Sequence, residues 1–149
     1  MGARAGVEGF AMDTVGKGVV AGFIAMLASS LLLDPLFLLI GSGSTPAPGL
    51  QLHFFVGPVM WGAIFAFFHD HMRGPSWLRG VLFASGAWIV VTVGLLATIG
   101  TGRFGIGIGP FANAMSLLVH VVYGALLGAI YGRLASPPLH DDLLRPAAR

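Results

Sequence analysis

Four apolar runs, each about the length a helix needs to cross roughly 30 Å of hydrocarbon, constrain this chain more than any other feature. They cover about 15–40, 50–68, 77–99 and 111–134. Their hydrophobicity is continuous rather than alternating, which predicts helices and argues against the strands of a membrane barrel. Hydrophobic residues make up 56% of the chain and charged residues 9%. An average soluble domain carries about 25% charged residues, so lipid must be the solvent for much of this surface. The first run is too long for the apolar part of a signal peptide, and no clean cleavage site ends it. Gly6 stands where an N-myristoylation motif needs Ser or Thr.

The chain of 149 residues has room for one domain. We divide it into a cytoplasmic N-terminal segment (1–14), a four-helix transmembrane domain (15–134) and a flexible tail (135–149) containing Pro137, Pro138 and Pro146. The absence of cysteine excludes disulfides, a thiolate nucleophile and Cys-ligated metal centres. A net charge of +2 is too small for the basic footprint of a nucleic-acid binder. The basic residues instead report topology. With both termini inside, Arg4, Lys17, Arg73, Arg79, Arg133, Arg145 and Arg149 collect on the cytoplasmic side, and Arg103 lies alone outside. That asymmetry predicts a multi-pass protein with N and C termini in the cytoplasm.

The second and fourth runs echo each other. His53-Phe54-Phe55-Val56-Gly57 followed by Gly62-Ala63-Ile64-Phe65 corresponds to His120-Val121-Val122-Tyr123-Gly124 followed by Gly128-Ala129-Ile130-Tyr131. More weakly, Lys17-Gly18-Val19 corresponds to Arg79-Gly80-Val81. The expected architecture is therefore an all-α four-helix bundle made of two tandem hairpins facing the same way. Their pseudo-two-fold axis would lie along the membrane normal. In lipid the hydrophobic effect cannot press helix on helix, so small residues four apart do it by close backbone approach. Gly18, Gly22, Gly57, Gly62, Gly124, Gly128 and Gly132 are the expected packing positions.

Ionisable residues within a span are costly and point to function. Asp34, His53 and His120 qualify, the first two near the outer interface and His120 deeper. Their plain roles are an interfacial Asp34–His53 pair and a helix-to-helix hydrogen bond from His120, with Ser116, Asn113 or a backbone carbonyl as partner. A sharper alternative brings His53 and His120 face to face as the two axial ligands of a haem b. His69 and His71 are weak metal candidates. On a helix, residues two apart diverge by about 200°, so a solvated cap ending the second span is the favoured reading. The glycine-rich stretch Gly100 to Pro110 follows no strand and is not a phosphate cradle. No nucleophile–base pair is visible, which leaves no basis for an enzyme.

His53 through Phe65 with Trp61-Gly62, Gly86-Ala87-Trp88, Gly102 to Gly109, and His120 through Gly132 together resemble an uncharacterised domain-of-unknown-function family of small four-span bacterial membrane proteins. The resemblance covers about 16–133. It implies a bacterial inner-membrane location and the four-span architecture, and it carries no catalytic residue. Three functions remain open. One is a structural or accessory subunit, acting as a homo-oligomer or within a larger membrane complex. The second is a bis-histidine haem or metal-binding redox protein. The third is a small carrier or channel, acting as a dimer, with Asp34, His53 and His120 along its path.

Overall fold

In hydrocarbon each backbone N–H and C=O must find its partner within its own segment, and the apolar runs accordingly fold as helices. The computed structural model describes residues 2–39, 48–95 and 110–136, with side chains over 13–35, 56–94 and 110–136 apart from Ala112. It contains α1 (Gly2–Leu39), α2 (Pro48–His69), α3 (Ser76–Ile89), a π-helical continuation of α3 (Val90–Leu95), and α4 (Pro110–Ala135). No strand occurs among the described residues. Three stretches are long and apolar enough to cross a membrane: Asp13–Pro35, Ser76–Gly94 and Asn113–Ala135. Large apolar side chains lie open on the outside, Leu31 at 79% and Val90 at 67% exposure, a surface that only lipid or other apolar helices can cover.

The four expected runs correspond to four described helices, but only three hold a stretch long and apolar enough to cross a membrane; α2 contributes the shorter apolar stretch Val56–His69 among the described residues. Helix α1 already begins at Gly2, so residues 2–14 belong to the same helix as the first apolar run. Where its described side chains begin, Asp13 pairs with Lys17 one turn later at 2.7 Å. The third run keeps α-helical geometry only to Ile89, then widens into the π segment. That segment is Val90-Val91-Thr92-Val93-Gly94-Leu95. The glycine-rich stretch near Arg103, the tail beyond Ser136 and the side chain of His53 lie outside the described residues.

Helices α2 and α3 are joined by a tight turn. His71 N–H donates to the Phe68 carbonyl at 3.0 Å and Met72 N–H to the His69 carbonyl at 3.3 Å. Gly74 takes φ +103°, which an L side chain adopts only with strain. Pro75 follows with φ −65°, and its carbonyl accepts from the N–H groups of Leu78 and Arg79, at 3.0 and 3.1 Å.

Packing follows glycine. A methyl built on Gly18 would fall on the Gly62 carbonyl oxygen and 2.7 Å from Ala66 Cβ, and one on Gly22 would fall on the Pro58 carbonyl oxygen. This seam joins α1 to α2. A second seam joins α3 to α4. There Gly80 abuts the Gly124 carbonyl oxygen and lies so close to Gly128 that an added Cβ would sit 2.7 Å from its nitrogen. Gly128 in turn abuts the Ser76 carbonyl oxygen. Gly57 is buried in α2. The hairpins then meet mainly through α1 and α4, while α2 touches α3 sparingly. Between them lies a core of Ala21, Ala25, Phe65, Ala66, Leu127 and Tyr131.

Candidate functional site

Helix α2 ends in a histidine that turns inward. His69 is 7% exposed, and its ring sits edge-on to two aromatic neighbours. The Tyr131 ring of α4 lies at 4.7 Å between centroids and the Phe65 ring, one turn back on α2, at 5.5 Å. Both ring nitrogens are engaged. Nδ1 contacts Asp70 Oδ1 at 2.8 Å and Nε2 contacts Ser76 Oγ, at the start of α3, at 3.3 Å. A carboxylate only accepts, so Nδ1 carries the proton in the neutral ring; Nε2 then accepts from the Ser76 hydroxyl. Arg79 finishes the arrangement, donating from Nη1 to the His69 carbonyl at 3.1 Å and from Nε to the Gly74 carbonyl at 2.7 Å. Carbonyls at a helix C-terminus lack intrahelical donors and carry partial negative charge, which is what a guanidinium satisfies.

One imidazole thus ties α2, α3 and α4 together at one end of the bundle. Asp70, His69 and Ser76 also stand in the order acceptor, imidazole, hydroxyl that hydrolases use. Ser76 Oγ, however, is wedged against α4: a methyl on Gly132 would lie 2.6 Å from it. The hydroxyl is committed to a helix contact, and the arrangement works as a clamp. His69→Phe keeps the ring contacts and is expected to lose about 1 kcal/mol for the two hydrogen bonds. His69→Ala should lose roughly 2–3 kcal/mol by adding a cavity. Reversible unfolding in mixed micelles reads both.

A second polar group occupies α4 farther along. His120 Nδ1 lies 2.8 Å from the Ser116 carbonyl oxygen, and the Trp88 indole N–H of α3 donates to Ser116 Oγ at 3.2 Å. The carbonyl fixes the proton of a neutral His120 on Nδ1 and the lone pair on Nε2. Of the partners expected for this imidazole, Ser116, Asn113, a backbone carbonyl or water, a carbonyl of its own helix is engaged, so this bond does not join two helices.

The other expected residues fall as follows. Asp34 is exposed on α1, immediately before Pro35. His53 is part of α2, and whether it meets Asp34 or His120 lies outside the described residues. His69 and His71 do not converge, because His71 is exposed and its Nδ1–H donates back to the Phe67 carbonyl at 3.2 Å. The solvated cap expected at His69 is corrected to a buried clamp. No group of three metal-ligating side chains occurs among the described residues. The sequence reading did not single out Ser76, Arg79 or Tyr131 as partners of His69. The available signal was a short Gly-Pro turn that forces the end of α2 onto the start of α3.

Comparison with known sequences gives one match. The profile of a family of unknown function (DUF6789) matches residues 12–142. No curated protein and no solved structure matches the chain.

Proposed function

The chain belongs to the DUF6789 family of unknown function, and from that premise we propose a membrane-embedded structural or accessory subunit. In this reading it spans a bacterial inner membrane four times with both termini in the cytoplasm. It packs against further copies of itself or against the helices of a larger complex. The observation that carries the reading is the pair of glycine seams. Each hairpin is closed internally by backbone-to-backbone contact, so its long apolar side chains are left for the outside. Such a body is rigid and offers apolar ridges to lipid or partner helices.

Duplication is part of the proposal. Gly18 and Gly80, the corresponding residues of the two units, each pack on the second helix of their own hairpin, against Gly62 and against Gly124 and Gly128. Phe65 and Tyr131 also correspond, and they touch each other at 5.5 Å between centroids. Contact between equivalent residues is the mark of a two-fold axis. The two seams are out of register by about one turn, since Gly18 meets Gly62 whereas Gly80 meets Gly124, the counterpart of Gly57, and the interface between the hairpins departs from symmetry for a steric reason. In the repeat register Ala21 of α1 answers to Phe83 of α3. Ala21 lets α1 close onto α4; the Phe83 ring, packed on Trp61 and Phe65 at 6.0 and 5.3 Å, props α3 away from α2.

The haem alternative keeps one specific support. A histidine that ligates iron usually donates its other ring N–H to a carbonyl, as His120 does to Ser116. One preparation decides between the readings. The protein is extracted gently from haem-replete cells, its mass is read with its companions, and its absorption spectrum is recorded. The structural reading expects a colourless homo-oligomer or a complex with other membrane proteins, and a free monomer overturns it. A Soret band that disappears in His120→Ala establishes the haem reading instead.

A further inference from the structure

The glycines of the two seams are explained by a neighbouring helix, whereas a methyl built on Gly16, Gly86 or Gly94 would meet nothing within 4 Å. Glycine inside a helix weakens it, so these positions ask for another reason. Gly16 lines a groove of about 340 Å³, together with Asp13, Lys17, Val20 and Leu134. The groove runs between the Asp13–Val20 stretch of α1 and the end of α4. Its polar end holds the Asp13–Lys17 pair, 2.7 Å apart and open to solvent. Val20 and Leu134 make the remainder apolar. A carboxylate and an ammonium side by side, at the level where a span meets water, match a ligand that carries both opposite charges and an acyl tail.

We propose that this groove seats the headgroup of a phospholipid with a primary ammonium, a phosphoethanolamine lipid, the inference resting on the membrane reading above. The lipid ammonium donates to Asp13, and Lys17 donates to the phosphodiester. The intrahelical pair is thereby exchanged for two charge-assisted contacts. The glycerol and first methylenes lie along Val20 and Leu134. Gly16 leaves room for the headgroup to reach the helix backbone. A phosphocholine head has no N–H to give Asp13. A phosphoglycerol head brings net negative charge beside the same carboxylate.

The test offers the purified full-length protein, in detergent, equal amounts of phosphoethanolamine, phosphocholine and phosphoglycerol lipids with identical acyl chains. Lipids retained are counted by native mass spectrometry. The wild type should retain the phosphoethanolamine lipid about threefold over the others, a modest preference because the charges are partly screened. Asp13→Asn should bring phosphoethanolamine and phosphocholine to parity. Gly16→Leu should cut retention about tenfold with helicity and elution unchanged, since a Cβ at Gly16 meets nothing within 4 Å. Equal retention of the three lipids by the wild type overturns the proposal, as does undiminished retention by Gly16→Leu. A change in chains per particle in Gly16→Leu, without a change in lipid, assigns the groove to a second copy and overturns it too. Failure of the membrane reading shows separately, as protein that stays soluble once detergent is removed.

Discussion

Gly80→Leu should unfold the second hairpin at the lowest denaturant concentration of any single substitution in α3. The added side chain begins where the Gly124 carbonyl oxygen and the Gly128 backbone already are. Neither neighbour is the movable end of a side chain, so the two helices must separate along the seam. Overpacking a well-filled interior costs about 1–3 kcal/mol and occasionally more. We expect at least about 3 kcal/mol here, because the displaced atoms are main chain on both sides. Gly86→Ala is the matched control on the same helix. Its Cβ meets nothing within 4 Å, and replacing glycine by alanine should leave stability unchanged or raise it by up to about 1 kcal/mol. Equal effects in the two variants would mean that the close contact at Gly80 does not set the stability of α3.

Phe65→Ala should separate the two hairpins while leaving each one helical. Phe65 is fully buried, and its ring meets His69, Phe83 and Tyr131 at 5.3–5.5 Å. Truncation opens a cavity where α2, α3 and α4 converge. Phe→Ala in a core costs about 3–5 kcal/mol, part of which is transfer out of water. In lipid only the packing share remains, so roughly 2–4 kcal/mol is expected. Spin labels on α1 and α3 should report a broader inter-hairpin distance distribution, with circular dichroism unchanged. An unaltered distribution would show that the α1–α4 contact alone holds the hairpins together. The clamp at His69 should weaken in the same variant, because Phe65 and Tyr131 grip that ring from two sides.

Much of the fold was legible before any coordinates. Continuous apolar runs admit only helices in lipid, so the helix count and approximate limits follow from composition alone. The glycines at 18, 22, 124, 128 and 132 were legible as packing positions, because close approach rewards glycine at four-residue spacing in a span, and Gly62 was legible through its match to Gly128 in the repeat. Gly80, which has as tight a set of neighbours as any, was named only as part of the repeat. It has no second glycine four residues on; its line continues as Ala84, which is also buried. The candidate site was less legible. His69 stands in a cluster of polar residues at a helix end, and such clusters are usually solvated. Its burial depends on the Gly74-Pro75 turn bringing Ser76 over the ring and on Tyr131 approaching from a helix more than sixty residues away.

By itself the sequence determined the helices and their apolar character, since backbone pairing within a helix is a local requirement that each run meets alone. It also marked where helices approach closely, because side-chain size is a local property. The tertiary structure decided which seams pair, that α1 rather than α3 closes the interface between hairpins, and that His69 points in while Gly16 faces out. Lipid removes the contrast between an apolar inside and a polar outside, so apolar residues look alike on every face of a helix. Only the three-dimensional fit of one helix on another distinguishes them.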